Sequence, residues 1–302
     1  MIEPLSNLPP ALQRFEHDAM ACTFELYLPR GAVRYAQGAA QAAFDELDRL
    51  EQLLSRFIPH SDIARLSALE PGQFVRVSPE TIECLQLAAQ VYTATGGAFD
   101  VAFRSRREVS SVPLVFDPAA RAVGVQTARV SLDLGAIGKG YAVERVVALL
   151  REWGIMSALV HSGQSTAYAL GQPPNGSIWR VALRSPDQSA TALGALELRD
   201  GALSGSGQLL HGGHIVDPRT GQPADRYRAA WASAPSAALS DALSTAFMLM
   251  TAEEVRGLCE QWPGVSAILL PSGTTAHEAL CFGPHGHQVQ WSRQAQRPDA
   301  AG

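Results

Sequence analysis

The residues most able to do chemistry lie in four short stretches. The densest spans residues 131–144, with the sequence SLDLGAIGKGYAVE. It predicts a strand that ends at a glycine-rich turn, followed at once by a helix. The free N–H groups of a helix start can bind phosphate together with Lys139. The stretch is not a P-loop, because Gly140 follows the lysine where a P-loop has a hydroxyl residue. Taken alone, it fits a tight strand–helix connection with a surface lysine equally well.

The stretch SDALST, residues 240–245, places a carboxylate and a hydroxyl four residues apart. On a helix, Asp241 and Thr245 would share one face, so that their oxygens can converge. Hard oxygen ligands suit Mg²⁺, which keeps several waters and relies on substrate phosphates. The alternative interpretation is that Ser240 or Asp241 simply caps the helix.

Two further stretches combine turn residues with reactive or aromatic side chains. In HIVDPRTG, residues 214–221, the Asp-Pro and Thr-Gly pairs predict a turn, and His214 before it could act as a base or a ligand. A structural turn with an incidental histidine is the alternative. In TGGAFD, residues 95–100, glycines allow a backbone to approach a ligand and Phe99 could lie beside a ring. A helix C-cap followed by a turn explains the same string.

The elements that must position these stretches mix helices and strands without regular alternation and without an internal repeat. This pattern predicts an α+β fold in which a helix-bearing part joins a sheet-rich part. A proline-rich lead-in (1–19) and a flexible tail (286–302) flank one domain over 20–285, with a possible internal boundary near 104–121. Strands are predicted at 22–28, 128–134, 156–160, 167–170, 179–183, 196–198, 229–234 and 265–270. Helices are predicted at 36–54, 139–153, 240–250 and 253–262, and a further helix runs from Ser78-Pro79 to the glycines at 96–97.

Composition excludes several classes of protein. The 302 residues are 46% hydrophobic and 18% charged, which gives material for a core and argues against disorder. A net charge of −5 without a basic block argues against nucleic acid as a partner. The four cysteines are dispersed and form no metal-binding or disulfide pattern. No apolar run is long enough to span a membrane, and the N-terminus lacks signal-peptide character, which predicts a cytoplasmic protein, or a periplasmic one only if a leader has been removed.

In their order along the chain, these strings resemble the ApbE family of FAD:protein FMN transferases. The resemblance covers about residues 20–270, and its DLGxIxKGYAV and HxxDPxTG strings are specific. The matching strings are MACTF at 20–24, SRF at 55–57, SDI at 61–63, TGGAFD at 95–100, DLGAIGKGYAVE at 133–144, Ser204-Gly205, HIVDPRTG at 214–221 and SDALSTA at 240–246.

The resemblance implies an ApbE-like fold with a nucleotide cleft between its two parts, and an enzyme that uses FAD and Mg²⁺. Such an enzyme passes FMN to a Ser or Thr hydroxyl of an acceptor flavoprotein and releases AMP. By position, it implies flavin nucleotide contacts at Met20, Phe57, Ala98, Phe99, Asp100, Asp133, Lys139, Ile215 and Val216. It places the metal at Asp241, Thr245 and the backbone carbonyl of Ala136, and it gives His214 a catalytic role.

The chain departs from the family pattern after the strand predicted at 156–160. Relatives usually show Asn-x-Gly-Gly-Asp, whereas this chain has HSGQS at 161–165, so that an amide and a carboxylate are lost. His161 could compensate for them, or it could be a strand-end histidine satisfied by backbone. Phe57 also stands where many relatives carry tyrosine. Two other functions therefore stay open at this point: an FAD pyrophosphatase that yields FMN and AMP, and a catalytically weak FAD-binding protein.

Overall fold

A computed structural model describes residues 2–4, 11–31, 33–105, 113–185, 192–207 and 215–292. An eight-stranded sheet in the order β14-β13-β12-β11-β8-β7-β3-β2 forms its centre, a second sheet has the order β1-β9-β10-β15, and a small third one the order β4-β6-β5. The strands are β1 (Ile2–Pro4), β2 (Leu12–Ala19), β3 (Cys22–Pro29), β4 (Phe74–Arg76), β5 (Leu114–Asp117), β6 (Ala122–Val125), β7 (Ala158–Ser162), β8 (Thr166–Leu170), β9 (Trp179–Arg184), β10 (Ala192–Leu198), β11 (Gly201–Gly207), β12 (Tyr227–Ala234), β13 (Ser266–Pro271), β14 (Leu280–Phe282) and β15 (Gln290–Trp291).

Helices cover one face of the central sheet and the four-stranded sheet covers the other. Successive side chains of a strand point to opposite faces, so Val160 packs among the helices while its neighbour Leu159 packs against Val181 and Leu196 of the second sheet. The helices are α1 (Val33–Leu54), α2 (Asp62–Ser67), α3 (Pro79–Ala94), α4 (Gly138–Glu152), α5 (Ala237–Phe247), α6 (Ala252–Gln261) and α7 (Gly283–Gly286). In the described part of the chain, no helix combines the length and the apolarity needed to cross a membrane.

The predicted α+β class is confirmed, and most predicted elements are present within a few residues. Helix α3 begins as predicted, with Ser78 as N-cap and Pro79 in its first turn. The strand predicted at 128–134 is wrong: these residues run without a neighbouring strand. Their backbone N–H groups donate instead to loops and side chains, as Ser131 does to Ser105 Oγ (2.8 Å) and Asp133 to the Val101 carbonyl (2.7 Å).

The segments outside the predicted elements also carry structure. The lead-in at 1–19 contains β1 and β2, and the tail beginning at 286 contains β15, whereas 293–302 lies outside the described residues. The predicted boundary at 104–121 includes β5, and its part at 106–112 lies outside the described residues as well. Strand β11 was missed because the glycine and serine content of Gly201–Gly207 disfavours strands by local propensity.

Candidate active site

A cleft of about 540 Å³ opens where the β2–β3 turn, the start of α4, helix α5 and the ends of β7 and β11 meet. Residues from all four chemistry-bearing stretches line it, although they are far apart in the chain. Eleven of the predicted site residues are among those that line it: Met20, Ala98, Phe99, Asp100, Asp133, Ala136, Lys139, Ile215, Val216, Asp241 and Thr245.

Asp241 lies on the cleft side of α5 with only 3% of its surface exposed. The helix is capped by Ser236, whose Oγ accepts from the Leu239 N–H, so neither Ser240 nor Asp241 serves as the cap. One Asp241 oxygen accepts the Gly140 N–H at 2.9 Å and the other accepts the Ser165 hydroxyl at 3.1 Å. Within the described residues Asp241 has no ion pair. A buried carboxylate without a cationic partner is costly, so this position favours a bound cation.

Gly140 explains how α4 approaches Asp241 so closely. A Cβ at this position would lie 2.4 Å from the Ala237 carbonyl oxygen and 2.5 Å from the Asp241 Cβ. Only glycine therefore permits this contact of α4 with α5, and the contact brings a backbone N–H to the carboxylate.

The hydroxyl of Thr245, one turn beyond Asp241, meets Ser206 Oγ at 3.2 Å. Ser206 also contacts Ser244 Oγ at 2.9 Å, which ties α5 to the end of β11. No cluster of three or more His, Cys, Asp or Glu side chains suited to a metal occurs among the described residues. The residues predicted to bind the metal all line the cleft, and they offer the Asp241 carboxylate, the Thr245 hydroxyl and the backbone of Ala136. Such a set fits Mg²⁺, which accepts few protein oxygens and completes its shell with water and phosphate.

The start of α4 forms the floor of the cleft. Lys139 Nζ donates to the Gly135 carbonyl at 3.0 Å, and the Gly135 N–H donates to Asp133 Oδ1 at 3.0 Å. The other oxygen of Asp133 meets Arg104 Nε at 2.9 Å and Arg56 Nε at 3.2 Å. Cationic groups therefore extend from Lys139 on the floor to Arg104 and Arg56 at the mouth, as expected for a phosphate-bearing ligand.

Two predicted site residues remain to be placed, of which the structure describes only Phe57. Phe57 is 76% exposed and does not line the cavity, although the Arg56 guanidinium stacks 4.1 Å from its ring centre. Since Arg56 also pairs with Asp133, Phe57 lies near the cleft mouth. His214 lies outside the described residues, whereas Ile215, the next residue in the sequence, lines the cleft.

The turn between β2 and β3 contributes Met20 and Ala21 to the cleft, and both have left-handed backbones, with φ of 51° and 58°. This conformation suits the tight turn of a hairpin but is strained for residues other than glycine. Glu51 of α1 accepts the Met20 N–H at 3.0 Å and so holds the turn against the helix.

The TGGAFD stretch forms the predicted helix end, and its last three residues line the cleft. Gly96 and Gly97 follow α3 with φ of 56° and 82°, which ends the helix. Beyond them, the Phe99 N–H donates to Thr95 Oγ1 at 3.1 Å, which fixes the loop that presents Phe99 and Asp100 to the cleft.

The HIVDPRTG stretch also forms its predicted turn, and Ile215 and Val216 line the cleft. Arg219 donates to both Asp217 oxygens, and its Nη2 also donates to the Leu249 carbonyl at 2.7 Å. Burial raises the pKa of Asp217, but the hydrogen bonds and charge of Arg219 outweigh it and hold that pKa below its ordinary value. The turn is thus anchored beyond the end of α5.

The departure at 161–165 has different consequences at its two ends. Ser165 lies in the cleft and donates to Asp241, whereas His161 is buried and is not among the residues that line the cleft. Burial lowers the pKa of His161 to about 4, partly offset by the Glu25 carboxylate at 4.0 Å and by the backbone of Ile2. His161 therefore does not replace the lost amide in the cleft.

The sequence interpretation missed several residues of the site. Ser206 has no motif of its own, while Cys22 in MACTF and Ser165 in HSGQS were given no role, although all three line the cleft. Arg104 was placed at the start of the possible internal boundary near 104–121. Its nearness to TGGAFD is the only local signal that could have pointed to it.

Comparisons with known proteins agree with this architecture. The sequence model of the ApbE family matches residues 20–269. An FAD:protein FMN transferase of Treponema pallidum (strain Nichols) is 27% identical over 82% of this chain and 81% of its own length. One of Klebsiella pneumoniae (strain 342) is 25% identical over 70% of this chain and 71% of its own.

Solved structures show the same fold. The flavin transferase ApbE from Vibrio cholerae superposes with a TM-score of 0.75 at 20% identity, over 93% of this chain and 99% of that one. The apo form of the Pseudomonas stutzeri flavinyl transferase ApbE gives 0.74 at 23% identity, over 92% and 96%. An α+β fold with a glycine-rich cleft, oxygen donors on one wall and cations on its floor defines a class of protein built to bind a phosphate-bearing ligand. Within that class, this chain belongs to the ApbE family.

Proposed function

We propose that this chain is an FAD:protein FMN transferase, which moves FMN from FAD to a Ser or Thr hydroxyl of an acceptor flavoprotein. The family match and the names of the relatives support flavin transfer. In the reaction, the phosphoanhydride bond between the FMN phosphorus and the AMP oxygen breaks. A phosphoester bond to the acceptor oxygen forms, the acceptor hydroxyl loses its proton, and AMP leaves.

The cleft residues divide naturally between the parts of FAD. Met20, Phe99 and the Ile215–Val216 pair offer apolar surface for a flavin ring. Asp133 is an acceptor only, so it suits an amino or hydroxyl group of the nucleotide. Ala98 and Asp100 complete this wall, and Phe57 would cover the ligand from the mouth.

Asp241, Thr245 and the Ala136 carbonyl would hold Mg²⁺. When bound, this ion would offset the charge that develops on the phosphoryl oxygens. The observation that carries the proposal is that Asp241 is buried at the cleft without a cationic partner among the described residues.

The chain's own groups have separate tasks in this reaction. Lys139 would bind phosphate oxygens from the floor of the cleft. The Gly140 N–H and the Ser165 hydroxyl keep the Asp241 carboxylate fixed. His214 would take the proton of the acceptor hydroxyl, because histidine is the side chain that most often acts as a general base near neutral pH.

The test is incubation with FAD, Mg²⁺ and an acceptor flavoprotein that carries a target threonine. We expect a covalently fluorescent acceptor whose mass increases by that of bound FMN, with AMP released in equal amount. A Thr→Ala acceptor variant is the matched control. Release of FMN and AMP without a labelled acceptor would identify a pyrophosphatase instead. Tight FAD binding without either product would identify a binding protein.

A further inference from the structure

Two arginines meet one carboxylate at the mouth of the cleft. Arg104 Nε and Arg56 Nε lie 2.9 Å and 3.2 Å from the same oxygen, Asp133 Oδ2. The Asp133 side chain is 16% exposed, whereas those of Arg56 and Arg104 are 33% and 48% exposed. The carboxylate is thus the most buried member of the three. Asp133 and Arg104 line the cleft, whereas Arg56 pairs with Asp133 from outside the lining residues.

Each arginine uses only its Nε for this pair. In the part of the chain that the structure describes, the terminal Nη1 and Nη2 groups of both have no hydrogen-bond partner. Each guanidinium lies over the ring of a neighbouring residue in the sequence, since Arg56 Cζ is 4.1 Å from the centre of Phe57 and Arg104 Cζ is 5.0 Å from that of Phe103. The terminal amino groups of both arginines are therefore available to a ligand.

The charges do not balance, because two guanidiniums face one carboxylate. From Asp133 a chain of hydrogen bonds runs inward through Gly135 to Lys139, and the N–H of the next residue, Gly140, reaches Asp241. Cationic groups thus extend from the mouth toward the predicted cation site.

We propose that Arg56 and Arg104 bind the diphosphate of the nucleotide substrate and that Asp133 positions them. This inference rests on the proposed function, because it names the residues that recognise the substrate's phosphates. Asp133 keeps an unused lone pair on Oδ1 for the nucleotide itself. A free guanidinium edge fits phosphate oxygens with two parallel hydrogen bonds, which a lysine cannot provide.

The test compares FAD with riboflavin, which has the ring but no phosphate. Binding of each flavin is followed by fluorescence at low ionic strength, once in EDTA and once in Mg²⁺. Arg104→Gln and Arg56→Gln should each weaken FAD binding by about 10-fold and leave riboflavin binding unchanged. Arg104→Lys should fall between Arg104→Gln and the unmodified chain. Arg199→Gln is the matched control, because this exposed arginine lies in the β10–β11 turn and pairs with Asp200 instead of a residue of the cleft.

The possible results separate this inference from the proposed function. If both glutamine variants bind FAD as the unmodified chain does, the arginines do not bind the diphosphate, while flavin transfer stands. Equal loss of FAD and riboflavin binding would show a merely structural role and overturn the inference. Unchanged FAD binding with a raised KM for the acceptor would assign the arginines to an acidic protein surface instead. If the unmodified chain binds neither flavin, both proposals are wrong.

Discussion

Replacing Asp241 with asparagine removes a buried charge while keeping the shape of the side chain. The amide oxygen of Asn can still accept the Gly140 N–H. The amide nitrogen can donate to Ser165 Oγ, because a hydroxyl can turn from donor to acceptor. Both hydrogen bonds therefore survive in the variant, and the fold should be retained.

The structure allows the size of two effects to be estimated. A Mg²⁺ concentration of 100 times Kd should stabilise the unmodified chain by about 2.7 kcal/mol, which corresponds to a rise in Tm of about 5 °C for a chain of this size. The Asp241→Asn variant should lose this rise. In EDTA the free energy of unfolding of the variant should be at least as large as that of the unmodified chain. The reason is that burying the unpaired Asp241 carboxylate costs several kcal/mol, whereas its charged hydrogen bonds contribute only about 1 kcal/mol more than neutral ones.

The assay is thermal and urea denaturation in EDTA and in Mg²⁺, without flavin. Asp45→Asn, at an exposed position of α1, is the matched control and should respond to Mg²⁺ like the unmodified chain. A full Mg²⁺-dependent rise in Tm for Asp241→Asn would refute the assignment of the cation to this carboxylate.

Three more substitutions test the packing around the cleft. Gly140→Ala should lower the free energy of unfolding by about 2–3 kcal/mol, because the added Cβ would lie 2.4 Å from the Ala237 carbonyl oxygen. Gly257→Ala, at a helix position with open space around it, is the control and should raise the free energy of unfolding by about 0.5–1 kcal/mol. Equal effects of the two substitutions in urea denaturation would contradict this packing. Ala21→Gly should raise the free energy of unfolding by about 1 kcal/mol, because φ is 58°, and a loss of stability would contradict the strain. The pKa of His161 lies at about 4 in the fold and is higher in the unfolded chain, so the unfolded state binds the proton first and stability falls as pH drops from about 6.5 to 4. In the His161→Phe variant, the loss of unfolding free energy between pH 6.5 and pH 4 should be smaller by about 2–3 kcal/mol, because phenylalanine binds no proton. If the dependence of stability on pH is the same in this variant as in the unmodified chain, His161 is not buried as a neutral base.

Local patterns predicted most of the helices that build the cleft. The Ser-Pro start of α3 and its Gly-Gly end are encoded within a few residues of each boundary, because capping and turn chemistry act over such distances. The alternation of β3 and the periodicity of α1 are equally local. For the same reason, strand β11 was missed, since its serines and glycines become a strand only by pairing with β8 and β12.

Eleven of the predicted site residues line one cleft, Phe57 lies near its mouth, and His214 lies outside the described residues. These residues were selected from strings recognised in order along the chain, and their roles stay predictions. Spacing alone left a helix cap as an equal explanation of Asp241, and only the position of Ser236 at the start of α5 removed it.

By itself, the sequence determined which segments could become helices, strands and turns, and which stretches carried carboxylate, hydroxyl and glycine at useful spacings. The tertiary structure decided the surroundings of each group. Gly140 reaches Asp241 across 101 positions of the chain and Ser165 reaches it across 76, so neither contact leaves a mark in local sequence. Such contacts arise because the packing of helices on the sheet brings distant backbone together, and the charge balance of the cleft depends on them.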